Sequence, residues 1–232
     1  MRFPAPLVRA RLIRRYKRFL SDHELAGGEV VTAHCANPGA MLGLTERGSE
    51  AWLSPAASPE RKLRYTWELV RVGRGLVGIN TAHPNTIAAE AVRAGRIPEL
   101  AGYAELRREV RYGANSRIDL LLTDADRLPC YVEVKNVHLK RSGLAEFPDS
   151  VTKRGAKHLA ELGAVVAQGG RAVMLYLVQR NDCKGFAIAA DIDPAYAAAL
   201  ERARARGVET LCYSCNLDRT SITLGRPLPL QL

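Results

Sequence analysis

The sequence predicts an α/β protein in two parts: a small β-barrel over residues 1–80, then an α/β domain with a mixed sheet over residues 81–232. Three observations carry that expectation. Before residue 81, apolar residues alternate in short runs broken by turns, with little helical spacing. After it, Ala-rich helical stretches alternate with short apolar runs. The charge also divides there: the 232-residue chain is +10 overall, with 13 basic and 7 acidic residues before the break, and 21 and 17 after it.

In the first part, "LVRARLIRRYKRFL" (7–20) sets Arg9 and Arg11 against Val8, Ala10 and Leu12, which reads as a half-buried strand with a basic face. "SDHELAGG" turns the chain and "EVVTAHC" returns. "ANPGAM" is a loop, and "SEAWLSP", "RYTWELVRVG" and "GLVGIN" continue the strand pattern. Short strands and a basic face favour an OB-like barrel, a common scaffold for nucleic-acid surfaces. Tyr16, Phe19 and Trp52 are open to two readings, stacking on bases or filling the core. His34, Asn37 and Gly39 in "HCANPG" suit either a polar site between the domains or a stabilised turn.

The second part opens on a helix, "PNTIAAEAVRAGRIPEL", followed by strands in "RREVRYG", "SRIDLLLT" and "CYVEVKNVHL". "DSVTKRGAKHLAELGAVVAQGG" is a helix capped by Ser150 or Thr152, with Gly155 permitting a close backbone approach. Lys153 and Lys157 share one side of it, Arg154 and His158 another. "AVMLYLVQR" is a buried strand and "FAIAADI" a second. Asp193-Pro194 caps the last helix, which stops at Gly207 before the closing strand "VETLCYS".

Composition narrows the class. A basic chain of this size points to a polyanionic partner, most often nucleic acid. No stretch has the length of a membrane span and no secretory apolar region stands near the start, so no membrane partner is expected. The five scattered cysteines fit reduced thiols in a cytoplasm. Cys212 and Cys215 have the gap of a zinc half-site but lack a second pair, which favours free thiols on a strand.

The chemistry concentrates in "RIDLLLTDADRLPCYVEVKNVHL" (117–139). Glu133 and Lys135 share one face of a strand, with Val132 and Val134 on the other. A hairpin turning at Asp126 sets Asp119 opposite Glu133, with β-carbons about 4.5–5.5 Å apart. Two opposed carboxylates repel, and a divalent cation between them removes the conflict. Carboxylates with room for water are what magnesium prefers. Lys135, one pleat away, can then stabilise charge on a phosphate. An ordinary surface Glu–Lys pair is the competing reading.

Asp119 followed by Glu133-x-Lys135 resembles the PD-(D/E)XK core of restriction-endonuclease-like proteins. More specifically, "AHCANPGAM", "SRIDLLL", "YVEVKNVHL", "FPDSVTKRGAKHLAEL", "LVQRNDC" and Asp193-Pro194 resemble the sugar fermentation stimulation protein A (SfsA) family along nearly the whole chain. The resemblance implies an OB-like domain fused to a restriction-endonuclease-like α/β domain in a prokaryotic cytoplasmic protein. It also implies binding to double-stranded DNA with little sequence preference, and regulation linked to sugar, especially maltose, utilisation. Asp119, Glu133 and Lys135 match the family's catalytic-type triad, and Glu90 the helix position where related nucleases often add a carboxylate. The proline that usually precedes the first Asp is replaced by Ile118.

Together these readings give Asp119 and Glu133 as ligands for Mg2+ or Mn2+, and Asp119, Glu133, Lys135 and Glu90 as the candidate catalytic set. Arg9, Arg11, Arg14, Arg15, Lys17, Arg18, Lys153, Arg154 and Lys157 are the candidate DNA contacts. The favoured function is a DNA-binding regulator. The alternatives are an active Mg/Mn-dependent nuclease and an RNA-binding or RNA-processing protein.

Overall fold

A computed structural model describes residues 1–58, 60–113 and 116–232. The barrel is built from β1 (Val8–Tyr16), β2 (Leu20–Leu25), β3 (Val30–His34), β4 (Glu50–Pro55) and β5 (Tyr65–Val72), with β6 (Gly75–Gly78) added beside β5. Strand β1 pairs antiparallel with β2 and β4, β2 with β3, and β4 with β5. A short parallel contact between β3 and β5 closes the ring. Alternation on β1 buries Ala10 and Leu12 with Leu53, Met41 and Trp67, leaving Arg9 and Arg11 outside. Closure leaves this core without an open sheet edge, as an OB barrel requires.

Trp52 corrects one of the two aromatic readings. It is 2% exposed and packs with Leu69 and Ile87, joining the barrel to the next domain, so it has no free ring face for a base. Phe19, at 45%, is exposed.

The second domain runs α1 (Pro84–Arg93), β7 (Glu105–Tyr112), β8 (Ser116–Asp124), β9 (Arg127–Val137), β10 (Leu139–Arg141), β11 (Leu144–Phe147), α2 (Lys153–Ala167), β12 (Arg171–Val178), β13 (Gly185–Ile188), α3 (Pro194–Ala205), β14 (Glu209–Leu217), β15 (Ile222–Pro227) and β16 (Leu230–Gln231). The main sheet has the order β15-β14-β12-β9-β8-β7. Strands β9, β12 and β14 are parallel and the outer pairings antiparallel, so the sheet is mixed.

Strand β12 shows why helices cover both faces. Val173, Leu175 and Leu177 join Ile87 and Ala88 of α1, while Ala172, Met174 and Tyr176 join Leu159 of α2 and Tyr196 and Leu200 of α3. Apolar residues at every position from Ala172 to Val178 demand a cover on each side. Asp193 couples the two helices on the second face: Oδ1 caps α3 by accepting from Tyr196 N at 3.0 Å, and Oδ2 accepts from Thr152 N at 2.7 Å. Thr152, one of the two residues expected to cap α2, accepts from Gly155 N at 3.1 Å.

Strands β10 and β11 form a hairpin too short for the sequence periodicity to show. Ser142 and Gly143 both have positive φ, 48° and 85°, the signature of a two-residue turn. The hairpin joins β13 and β16 in a second, four-stranded sheet. The domains meet through polar contacts. Asn37 is buried, donates to Ile79 O and accepts from Gly39 N, and Asp149 Oδ2 accepts from Met41 N at 2.9 Å. Asn37 thus stabilises a turn that itself lies at the domain junction, whereas His34 turns away toward Arg61 and Phe19. Among the described residues, no helix is long and apolar enough to cross a membrane. All five cysteines are free and buried.

Candidate metal and phosphate site

Strands β8 and β9 pair in the expected register, with Leu120 opposite Val132, Leu121 opposite Tyr131 and Leu122 opposite Cys130. The paired ladder ends at Leu120–Val132; continued by one position, it would set Asp119 against Glu133. The regular ladder gives way here, because Asp119 Oδ2 accepts from Val134 N at 2.7 Å and takes a backbone donor for itself. Val132 and Val134 pack toward α1, so Glu133 and Lys135 face α2.

Glu133 is 2% exposed. Its Oε1 accepts from Lys135 Nζ at 2.8 Å and is hydrogen-bonded to His158 Nδ1. His158 Nε2 in turn accepts from Arg154 Nε at 3.2 Å. Asp119 Oδ1 accepts from Asn85 Nδ2 of α1 at 2.7 Å, and the same amide reaches Glu109 Oε1 at 3.2 Å. Glu109 has a φ of 53°, a left-handed conformation that costs a non-glycine residue roughly 1–2 kcal/mol. Its place on β7, between the pairs Arg108–Leu120 and Val110–Ile118, sets it across from Asp119.

The two carboxyls are pushed in opposite directions. Burial raises Asp119, the nearby Glu133 charge raises it further, and it reaches about 6 despite the Val134 N–H, Lys135 and Asn85. Burial also presses Glu133 upward, but hydrogen bonds from His158 and Lys135 outweigh it and hold this carboxyl below its usual value. A pair of acids split in this way is characteristic of functional sites, where the groups take different roles.

A divalent cation fits this donor set. Glu133 Oε2, Glu161 Oε2 and Tyr112 Oη are buried and have no hydrogen-bond partner among the described residues. Burial, then the charges of Glu133, Glu161 and Asp119, raises the Tyr112 hydroxyl, so this is a region of concentrated negative charge. Among the described residues no three His, Cys, Asp or Glu side chains converge as a closed cage. Two carboxylates, with the remaining positions left to water and a phosphate, is the arrangement magnesium uses at phosphoryl sites.

Glu90 is not brought into this group. Five residues along α1 from Asn85, it is turned by about 140° around the helix axis. It points toward β15, is 53% exposed and pairs with the Met1 amine at 2.7 Å. Asn85, an uncharged residue the sequence reading did not single out, is what α1 supplies. The sequence places His158 on one side of α2, and helical phase alone does not reveal which strand residue it meets.

The basic residues divide into tied and free. Arg9 pairs with Glu50, Arg14 with Asp22 at 2.8 Å, and Lys157 lies 3.6 Å from Glu161. Arg15 donates to the carbonyls of Arg18, Asn37 and Gly39 and acts as a brace for the loops. Arg11, Lys17, Arg18, Lys153 and Arg154 are exposed, with no acidic partner within ion-pair distance among the described residues. Lys17 and Arg18 form the left-handed turn between β1 and β2 (φ 46° and 61°), while Lys153 and Arg154 open α2.

The fold and this site define a two-domain protein that joins an OB barrel to a mixed-sheet α/β domain carrying Asp119 and Glu133-x-Lys135. The model of the SfsA N-terminal OB domain matches residues 13–79, and that of the sugar fermentation stimulation protein RE domain matches residues 82–221. The chain belongs to the sugar fermentation stimulation protein A (SfsA) family. A sugar fermentation stimulation protein homolog of Paramagnetospirillum magneticum is 63% identical over 232 residues, covering 100% of this chain and 98% of its own. The Rhodospirillum centenum homolog is 64% identical over 231 residues, covering 99% of each. Among solved structures, Pyrococcus furiosus SfsA in complex with Ca2+ superposes with a TM-score of 0.90 at 24% identity, covering 100% of this chain and 98% of that one, and so shares its fold.

Proposed function

We propose that the protein binds double-stranded DNA with little sequence preference and holds Mg2+ or Mn2+ at Asp119 and Glu133, beside the bound backbone. The observation that carries this reading is a carboxylate pair, Glu133 buried with Oε2 bare and Asp119 half-buried, next to a helix that opens with exposed Lys153 and Arg154. Opposed acids weaken a sheet, and a purely electrostatic DNA surface has no use for them. The Ca2+ bound by Pyrococcus furiosus SfsA supports a divalent site on this fold. In this reading the protein works in the cytoplasm, where its buried thiols stay reduced, as a DNA-binding regulator linked to the sugar use for which its relatives are named.

Each group then has a part. Arg11, Lys17 and Arg18 on the barrel and Lys153 and Arg154 on α2 grip phosphates and set the duplex against the α/β domain. Asp119, whose carboxyl sits at about 6, is mostly ionised at neutral pH and available as a ligand. When bound, the cation supplies positive charge to a phosphate oxygen and acidifies water.

A second reading, metal-dependent phosphodiester hydrolysis, is favoured by Lys135. Its side chain is only 14% exposed and Nζ lies 2.8 Å from Glu133 Oε1. A lysine that merely attracted DNA would extend into solvent, whereas a lysine held at the carboxylates can stabilise charge developing on a phosphate.

The test is fluorescence anisotropy on unrelated duplexes over a salt series, with magnesium or chelator, and gels run in parallel for cleavage. The five free basic residues give a log–log salt slope of about −4 to −5. Reversing the charges of Arg11, Arg18 and Lys153 should flatten it. A slope near zero, or unchanged affinity in the charge-reversed protein, contradicts the proposal.

A further inference from the structure

Glu133 uses its two oxygens unequally. Oε1 is engaged by Lys135 Nζ and His158 Nδ1, while Oε2 is buried and has no partner among the described residues. The asymmetry traces to the far side of the imidazole, where His158 Nε2 accepts from Arg154 Nε at 3.2 Å. A guanidinium keeps its protons, so the accepting Nε2 is the bare ring nitrogen and the imidazole hydrogen sits on Nδ1. Lys135 Nζ also lies 3.3 Å from Nδ1, but its shorter bond, 2.8 Å, goes to Glu133 Oε1, and the Nδ1 hydrogen meets that same oxygen.

We propose that His158, its tautomer fixed by Arg154, is a positioning residue that pins Glu133 through Oε1 and so presents Oε2 to the divalent cation shared with Asp119. This rests on reading the carboxylate pair as a metal site. The surrounding structure holds the imidazole in place. Gly155 packs against the Thr152 side chain and the Tyr196 ring, each about 3 Å from where a β-carbon would stand, and so lets α2 lie close against α3. His158, one turn further on, is 5% exposed. Arg154 commits only Nε to the ring. Among the described residues its two Nη groups have no partner, so the fork remains available to a DNA phosphate while Nε keeps the tautomer. One arginine thereby links the backbone contact to the orientation of a carboxylate.

The test uses the full chain and Mn2+ as probe, in isothermal titration calorimetry on wild type, His158→Ala and His158→Asn. Asparagine can offer an N–H close to the position of Nδ1–H. Losing a hydrogen bond that orients a metal ligand typically weakens metal binding by about 10- to 100-fold, which is the loss expected for His158→Ala. His158→Asn should recover most of that loss, which a role in packing alone would not produce. Nitrogen NMR of the apo wild type should find the hydrogen on Nδ1. Wild-type affinity in a folded His158→Ala protein overturns the proposal but leaves the metal site standing, as does an Nε2–H tautomer. Should wild type itself take up no Mn2+, the metal reading fails and this inference with it. If His158→Ala does not fold, the asparagine variant and the tautomer decide.

Discussion

Replacing Asp119 with Asn should change how the stability of the apo protein depends on pH. Asp119 rises from its usual 3.8 to about 6 on folding, first through burial and then through the Glu133 charge. An acid whose folded value is raised contributes stability that is fully present below about 3.8 and is lost as pH climbs through about 6. The shift corresponds to roughly 2–3 kcal/mol, allowing for partial solvent access. Asparagine does not titrate, so the variant lacks this term whatever hydrogen bonds it loses to Asn85 and Val134. The stability of wild type relative to Asp119→Asn should therefore fall by roughly 2–3 kcal/mol between pH 3.5 and 7.5, or roughly 4–12 °C in relative Tm for a chain of this size. Urea unfolding followed by far-UV circular dichroism, with matched thermal scans, measures it. Millimolar Mg2+ or Mn2+ should restore wild type above pH 6 and leave the variant unchanged, since a ligand bound only by the folded state stabilises it. Parallel pH profiles for the two proteins would mean that burial and the Glu133 charge do not hold the Asp119 carboxyl above its usual value.

Other substitutions probe the supports. Gly39→Ala sets a β-carbon 2.6 Å from Asp149 Oδ2, which Met41 N and His138 Nε2 hold in place, so a loss of about 1–3 kcal/mol is expected in denaturant unfolding. A stability equal to wild type would mean that this domain contact yields easily. Asn85→Ala should raise the Asp119 titration midpoint, read by carboxyl carbon NMR, because the Asn85 hydrogen bond lowers it; Glu90→Ala should leave it in place. In the hydrolytic reading, Lys135→Ala slows cleavage by about 10²–10³-fold while anisotropy shows nearly unchanged DNA affinity. Undiminished cleavage in that variant assigns the activity elsewhere.

The chemistry-bearing hairpin was legible in the sequence because its constraints are local. Period-two alternation and a short turn set the β8–β9 register, and continuing it past Leu120–Val132 brings Asp119 to the Glu133–Val134 stretch. What escaped depended on long-range geometry. The rotation of α1 against the sheet decides that Asn85, and not Glu90, meets Asp119, and the approach of α2 decides that His158 meets Glu133. Trp52 reads equally well as a stacking or a core residue until the second domain covers it. Arg14 and Arg15 look like free charges along the chain, but cross-strand and loop neighbours engage both. The β10–β11 hairpin did leave a local trace, the Ser142-Gly143 pair, in a stretch too short for periodicity to show.

Crystals soaked in Mn2+ and measured near the manganese edge put the proposed cation between Asp119 and Glu133 to the sharpest test. An anomalous peak is expected between the Asp119 and Glu133 carboxylates, with His158 still bonded to Glu133 Oε1. Manganese sites elsewhere in the crystal with no peak between these two carboxylates would contradict it.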